Sequence, residues 1–165
     1  MKASLGKYIL GIDPGQTGAF ALYDPFTRKL GKVWDMPAKF NSKDKLEIDC
    51  VALANAIGIY AHMIKYAVVE NVHSMPGQGV ASTFKFGVSK GIILGALGAF
   101  NIQAVLVAPA VWKGQMNLTS DKKLSLDRAK KLFPDMARHF SRVKDADRAE
   151  AALMAYFVAH MVHRG

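Results

Sequence analysis

The chain has 165 residues, a length typical of one domain with its own hydrophobic core, and we treat residues 1–165 as a single domain. It carries 22 lysines and arginines against 13 aspartates and glutamates, and the net charge of +9 at pH 7 attracts polyanions, nucleic acid first among them. Its one cysteine excludes an internal disulfide and argues against a cysteine-based zinc site. The start shows no cleavable leader and the apolar stretch GIILGALGAF is too short to span a bilayer, so we expect a cytoplasmic protein without a membrane partner.

The first half of the chain alternates short apolar runs with turn residues. The segments KYILGIDPG, GAFALYD and LGKVWDM predict three strands joined by tight turns, an antiparallel meander. The polar stretch PAKFNSKDKLE is assigned no element. It leads into a predicted helix over IDCVALANAIGIYAHMIK, where Val51, Ala54, Ile57 and Ala61 share one face. The segment YAVVE then predicts a short buried strand that ends on Glu70, followed by the loop NVHSMPGQG.

The second half of the chain is predicted to be mostly helical. A helix from about Val80 to Phe100 has glycines 87, 91 and 95 on one stripe, which indicates either tight packing on the sheet or a subunit contact. IQAVLVAP predicts a fifth strand, VWKGQMNL a short helix or turn, and SDKKLSLDRAKKLF a helix capped by Ser120. DADRAEAALMAYFVAHMVHR predicts a buried last helix. The order β-β-β-α-β-α-β-α-α indicates a mixed α/β domain whose central sheet is covered by helices.

Carboxylates adjoin buried-looking segments at three places, where an unpaired charge would be costly. These are Asp13 on the first strand, Glu70 closing the fourth, and the group Asp145, Asp147 and Glu150 at the start of the last helix. Asp147 and Glu150 lie one turn apart and repel unless a cation or basic group sits between them, whereas Asp145 can instead be a helix cap paired with Lys144 and Arg148. Carboxylates from separate elements suit Mg²⁺, and two such ions support phosphodiester hydrolysis. With the basic charge, this pattern favours a nuclease.

Three motifs in order, GIDPGQTGAFAL, AVVENVHSM and DADRAEAALMA, resemble the acidic motifs of RuvC-type Holliday-junction resolvases of the ribonuclease H-like superfamily. The tract MPGQGVASTFKFGVSKGIILGAL and the ending RAEA are most similar to bacteriophage-encoded members. The resemblance covers nearly the whole chain. It implies a ribonuclease H-like mixed five-stranded sheet, three antiparallel strands then two parallel, flanked by helices. It also implies a homodimeric endonuclease, with two Mg²⁺ or Mn²⁺ ions per active site, that resolves four-way and other branched DNA by symmetric nicks.

The resemblance also assigns residues. It implies Asp13, Glu70 and Glu150 as metal ligands, joined by Asp147, with Asp145 as the other choice for that position. Near the scissile phosphate it implies two catalytic lysines, Lys113 and Lys122, with Lys123 as a neighbouring choice. The remaining DNA contacts that it implies are His73, at the position of a base-stacking aromatic, Met75 beside it, and Lys85 and Lys90 on the glycine-striped helix.

Three alternatives remain open. A sugar-kinase or actin-like phosphotransferase also places Asp-x-Gly-x-Thr between two strands, and DPGQTG satisfies that pattern, but such proteins close two domains around ATP. A ribonuclease H-like RNA-processing nuclease shares a GIDPG-like opening, although the MPGQG tract argues against it. A non-catalytic junction-binding protein would not need all three acidic motifs. We therefore expect a nuclease without a nucleotide cofactor.

Overall fold

A five-stranded sheet forms the centre of the structure, a computed structural model that describes residues 6–72 and 79–161. The strands of the described residues are β1 (Tyr8–Asp13), β2 (Ala19–Asp24), β3 (Lys29–Asp35), β4 (Ala38–Phe40), β5 (Leu46–Ile48), β6 (Ile64–Glu70) and β7 (Ala104–Val107). The main sheet has the order β3-β2-β1-β6-β7. Strands β1, β2 and β3 pair antiparallel, whereas β6 lies parallel to β1 and β7 parallel to β6. The predicted mixed sheet, three antiparallel strands then two parallel, is confirmed.

Alternate residues of β1 and β2 face opposite sides of the sheet, and each side carries a helical layer. The α-helices of the described residues are α1 (Cys50–Tyr60), α2 (Val80–Ala99), α3 (Pro109–Gln115), α4 (Lys122–Leu132) and α5 (Ala146–His160). Leu10 and Phe20 contribute to a core with α1 and α2. Ile9 and Ala21 contribute to the other core with α3, α4 and α5. The sheet is therefore buried on both faces, as the apolar character of its strands requires.

The polar stretch after β3 forms a small hairpin, which the sequence did not predict. Strands β4 and β5 pair antiparallel, with Ala38 opposite Ile48 and Phe40 opposite Leu46. The Asn41 side chain closes the turn, because its Oδ1 accepts hydrogen bonds from the backbone amides of Lys43 (2.9 Å) and Lys45 (3.1 Å). Bonds from a side chain to the backbone, rather than an apolar pattern, therefore define this element.

Helix α5 lies unusually close to β1. A Cβ built on Gly11 would lie 1.9 Å from the carbonyl oxygen of Ala151, so no side chain fits at that position. The predicted burial of the last helix is confirmed, since most of α5 from Ala146 to Val158 is buried. This close packing holds the first turn of α5 against the carboxyl end of β1.

The glycine stripe of α2 does not face the sheet. Ser89, Ile93 and Leu97 are the buried residues of this helix, whereas a Cβ at the striped positions 87, 91 and 95 would meet nothing within 4 Å among the described residues. The interpretation of tight packing on the sheet is therefore wrong, because a regular spacing identifies a common face but not what that face contacts. The subunit contact stays a prediction.

Helix α2 is also, by length and composition alone, the one helix of the described ranges that could cross a membrane. It has 20 residues, and its most apolar window reaches a mean hydropathy of 1.3 with 17% of that window buried. The prediction considered only the shorter stretch GIILGALGAF within it. The apolar character comes from the outward face together with the residues that pack on the sheet.

Two local predictions differ from the structure. Asp121, not Ser120, caps α4, because the carboxylate of Asp121 accepts a hydrogen bond from the backbone amide of Lys123 at 2.9 Å. On α1 the buried residues are Leu53 and Ile57, whereas Val51 is 70% exposed. Of the face predicted for α1, Ile57 is thus fully buried and Val51 points to solvent from the first turn.

Candidate active site

Three carboxylates meet where β1 ends and α5 begins. One oxygen each of Asp13, Asp147 and Glu150 lie within 4.8 Å of one another. Asp13 is 7% exposed and Glu150 only 1%, while Asp147 lies at the rim with a quarter of its side chain exposed. Three acidic groups this close and this poorly hydrated need positive charge nearby.

The turn after β1 places Asp13 at the edge of the sheet. Gly15 has a φ of +128°, which side chains rarely adopt, and the amide of Gly18 donates to the carbonyl of Gly15 at 3.1 Å. The carbonyl of Gly18 in turn accepts from the amide of Met36 at 2.8 Å. The chain thereby reverses immediately beyond Asp13, which leaves its carboxylate beside the first turn of α5.

Two lysines neutralise part of this acidic cluster. Lys122 Nζ lies 2.9 Å from both Asp147 Oδ1 and Glu150 Oε2. Lys113 Nζ lies 2.9 Å from Glu150 Oε1, and the buried hydroxyl of Ser125 donates to the same oxygen at 3.1 Å. Both oxygens of Glu150 are therefore engaged, and the basic group expected between Asp147 and Glu150 is Lys122.

Glu70 approaches the cluster from β6. Its backbone pairs with Val107 on β7, and α3 begins two residues later with Pro109 in its first turn. This short connection brings the indole of Trp112 back over the strand end, where Nε1 donates to Glu70 Oε1 at 3.0 Å. Glu70 lies outside the three-oxygen group, but its charge acts on Asp13.

The electrostatics of the four carboxylates differ. Burial raises the pKa of Asp13 well above its usual value, and the charges of Asp147 and Glu70 raise it further. Burial also raises the pKa of Glu70, against the opposing effects of the Trp112 hydrogen bond and the Lys113 charge. Acidic groups whose protonation is favoured in this way gain from a nearby cation.

Glu150 is already compensated. Burial alone would raise the pKa of its carboxyl, but hydrogen bonds from Lys122 and Lys113 outweigh burial and lower it. Conversely, burial opposes the charged form of Lys122, and its hydrogen bonds to Glu150 and Asp147 raise the pKa of the ammonium. The uncompensated negative charge therefore concentrates at Asp13 and Glu70. An all-carboxylate donor set of this kind fits a hard divalent cation such as Mg²⁺ or Mn²⁺.

Asp145 has different partners. Its Oδ2 accepts the backbone amide of Arg142 at 2.9 Å, its Oδ1 lies 2.7 Å from the Arg142 guanidinium, and Arg148 approaches to 3.6 Å. The hydrogen bond from the Arg142 side chain is the main reason why the pKa of Asp145 is lowered. Its main partner is thus Arg142 rather than Lys144, and its carboxylate lies outside the group formed by Asp13, Asp147 and Glu150.

The other predicted DNA contacts are spread around the site. Lys85 is exposed and, with Gly15 and Gln16, lines a cavity of about 200 Å³. Lys90 donates through Nζ to the Asn71 side chain, next to Glu70. Lys123 is exposed in the first turn of α4. His73 and Met75 lie outside the described residues.

Sequence reasoning missed two residues that contact the carboxylates, Trp112 and Ser125. Both are completely buried. Trp112 directly precedes Lys113, so its position beside a predicted catalytic lysine could have drawn attention to it. Ser125 lies in an amphipathic helix, and no sequence signal marks it. Their partners are 42 and 25 residues away in the chain, so only the tertiary fold joins them.

The domain has the α/β fold of the ribonuclease H-like class, in the form found in RuvC. One similar solved structure is that of Thermus thermophilus RuvC in complex with a Holliday junction substrate, which is 16% identical, with a TM-score of 0.62 over 94% of this chain and 96% of that chain. Another is the Thermus thermophilus RuvC structure, also 16% identical, with a TM-score of 0.58 over 92% and 95%. No protein-family model and no curated protein matches the sequence. Similarity at this level of identity establishes the fold alone.

Proposed function

We propose that the chain is a divalent-metal-dependent endonuclease that resolves four-way DNA junctions, and cuts other branched DNA, by paired symmetric nicks. The observation that carries this proposal is the group of Asp13, Asp147 and Glu150 oxygens within 4.8 Å, flanked by two lysines. The RuvC-like fold supports it, because one similar structure is described with a Holliday junction substrate. The net charge of +9 favours a polyanionic substrate.

Asp13, Glu70, Asp147 and Glu150 would hold Mg²⁺ or Mn²⁺, two ions per site. We favour Asp147 over Asp145 for this set because Asp145 pairs with Arg142. Bound ions of this kind supply activation of a water and stabilisation of the leaving oxygen in phosphodiester hydrolysis. The overall step joins a water oxygen to phosphorus and breaks one phosphorus–oxygen ester bond. One proton of the water ends on the departing oxygen, and the other is released to solvent from the new phosphate monoester. The burial of Asp13 and Glu150 keeps bulk water from competing for their oxygens.

The two lysines have a separate role. Lys122 has nearly half of its side chain exposed, so it can bind a phosphate oxygen while staying near Asp147 and Glu150. Lys113 is 16% exposed and lies deeper, where it neutralises Glu150 and faces the negative charge that develops on the phosphate. We also assign backbone contacts to Lys85, Lys90 and Lys123, and base contacts to His73 and Met75.

We also propose a homodimer, which the outward face of α2 supports. Val80 and Phe84 are 87% and 73% exposed, and with the glycine positions 87, 91 and 95 they form a flat apolar surface without a partner in the described part of the chain. A second copy packed on this face would bury that surface. Two sites related by a two-fold axis would then cut two like strands of a symmetric junction.

The substrate and the motif tract together favour a cytoplasmic protein encoded by a bacteriophage and active in its host.

The test is cleavage of synthetic DNA with Mg²⁺. Wild-type protein should nick four-way junctions in opposed strands, and three-way, flap and linear DNA and an RNA duplex serve as competing substrates. Asp13→Asn should bind the junction with unchanged affinity and not cut it, while Asp44→Asn, at an exposed position on the β4–β5 turn, should cut normally. Cleavage by Asp13→Asn at the wild-type rate would contradict the proposal. Tight ATP binding without junction cleavage would favour the phosphotransferase, and preferential cleavage of RNA the RNA-processing nuclease.

A further inference from the structure

Trp112 is the largest fully buried side chain of the structure, and its one polar atom contacts a carboxylate. Its exposure is 0%, and Nε1 donates to Glu70 Oε1 at 3.0 Å. Glu70 is itself only 6% exposed. A buried tryptophan N–H usually finds a hydrogen-bond partner, but a buried carboxylate is a costly one, because the acid must stay desolvated beside the ring.

Only one oxygen of Glu70 is used in this contact. Oε2 of Glu70 makes no hydrogen bond to the residues that the structure describes. The indole therefore restrains the carboxylate through Oε1, and Oε2 is the oxygen that remains for a cation. A carboxylate that binds metal is commonly oriented in this way by a donor behind it.

The ring of Trp112 has a second contact, with the neighbouring Lys113. Lys113 Nζ lies 5.3 Å from the ring centroid and also 2.9 Å from Glu150 Oε1. Consecutive residues of α3 thus bind acids from β6 and from α5. The ring and the N–H serve different partners, so the two effects can be separated by mutation.

We propose that Trp112 is a positioning residue that orients Glu70 for metal binding through its indole N–H. This inference rests on the proposed function, since it takes Glu70 as a metal ligand. It adds a residue that touches neither the metal nor the DNA. If Trp112 acted by packing alone, phenylalanine at this position would preserve metal binding. If it acts through the N–H, phenylalanine would weaken metal binding.

The experiment compares Trp112→Phe with Trp34→Phe. Phenylalanine keeps a ring over Lys113 and removes only the N–H and part of the ring volume. Trp34 is the other tryptophan of the chain, and its Nε1 is buried with no hydrogen-bond partner among the described residues. Trp34→Phe is therefore a matched control, because it removes an indole without removing a hydrogen bond.

Mn²⁺ binding is measured without DNA, by the paramagnetic resonance signal of free Mn²⁺, at a temperature where all variants are folded. Trp112→Phe should bind Mn²⁺ about 10-fold more weakly than wild type, and Trp34→Phe with wild-type affinity. Equal affinity of Trp112→Phe and wild type overturns the inference alone. Absence of Mn²⁺ binding by the wild type overturns the proposed function and the inference with it.

A second measurement covers the case in which Trp112→Phe does not fold. In the Trp34→Phe protein the only tryptophan left is Trp112, so its fluorescence reports on this one indole. Mn²⁺ should quench that emission with the same half-saturation as the resonance titration. Bound Mn²⁺ that leaves the emission unchanged overturns the inference.

Discussion

The ammonium of Lys122 lies 2.9 Å from Oε2 of Glu150, which places a mobile positive charge on a carboxylate proposed to hold a metal ion. The same nitrogen contacts Asp147. Under the proposed function, lysine and metal would share these oxygens, and the lysine would turn toward phosphate when metal occupies the carboxylates.

Lys122→Met tests this relationship. Cleavage should fall by about 10²–10³-fold, the usual cost of removing one donor to developing charge, whereas Mn²⁺ affinity should not fall because the carboxylates remain and their competitor is gone. Single-turnover cleavage and Mn²⁺ titration measure the two effects. Lys131→Met, on the exposed side of α4, is the control and should leave both unchanged. A methionine variant that binds Mn²⁺ tenfold more weakly would contradict the proposed sharing.

Asp145 and Asp147 should give opposite phenotypes. Asp147→Asn removes a proposed ligand and should abolish cleavage with little change in melting temperature. Asp145→Asn removes the charged acceptor of the Arg142 hydrogen bonds and should lower the free energy of unfolding by about 1.5–3 kcal/mol. The molecules that remain folded should cleave at the wild-type rate. Thermal denaturation and cleavage at 20 °C distinguish them. A stable Asp145→Asn protein without activity would show that Asp145 is the ligand.

The outward face of α2 predicts the oligomeric state. Wild-type protein should sediment at twice the mass of the 18.0 kDa chain, and Gly91→Lys should sediment as a monomer. The variant should keep its fold, because a Cβ at Gly91 meets nothing within 4 Å in the described ranges. It should also make single rather than paired nicks. Asn55→Lys, exposed on α1, provides the control for added charge, and a Gly91→Lys dimer would rule out this face.

The close approach of β1 and α5 predicts a large effect from one methyl group. Gly11→Ala places Cβ 1.9 Å from the Ala151 carbonyl oxygen, and the resulting overpacking should cost about 1–3 kcal/mol of stability. Gly98→Ala, where a Cβ meets no described atom within 4 Å, should instead stabilise by about 0.5–1 kcal/mol. Urea denaturation measures both. Equal stability of the two variants would mean that α5 can move away from β1 freely.

Stability should depend on pH through Asp24. Burial raises the pKa of this carboxyl, but hydrogen bonds from the amides of Phe26 and Thr27 and the ion pair with Lys7 outweigh burial and lower it. The stabilisation is therefore present above the unfolded-state pKa and is lost as pH falls through the folded-state pKa. The difference in melting temperature between wild type and Asp24→Asn should be constant from pH 7 to pH 5 and shrink below about pH 4. A difference that is independent of pH would exclude this origin.

The sequence was sufficient to predict the sheet and to single out the carboxylates that the structure brings close together, for an identifiable reason. Asp13 and Glu70 end apolar strands, and the three-residue spacing of Asp147 and Glu150 puts them on one helical face, so local patterns carry both kinds of information. The β4–β5 hairpin was missed because it depends on hydrogen bonds between backbone amides and the Asn41 side chain. A pattern of hydrophobic residues does not reveal such bonds.

Other features depended on tertiary placement. The hydrogen bond between Trp112 and Glu70 exists because α3 folds back over the end of β6. Neither residue type predicts the other as its partner. For the glycine stripe of α2, the alternative of packing on the sheet was wrong for the same reason. The spacing identified the stripe but not the direction in which it points, and the alternative of a subunit contact stays a prediction. That Asp147 rather than Asp145 lies close to Asp13 also depended on tertiary placement, because Asp145 pairs with Arg142.

The ion pairs of Lys122 and Lys113 with Glu150 have a consequence for handling the protein. These ammonium groups compensate the buried Glu150, and the raised pKa values of Asp13 and Glu70 favour the neutral forms of those two groups. We therefore expect the protein to stay folded without divalent ions. A chelator such as EDTA should therefore inhibit catalysis reversibly while the protein stays folded. The protein can then be purified and mixed with DNA in an inactive form, and the cleavage reaction can be started by adding Mg²⁺.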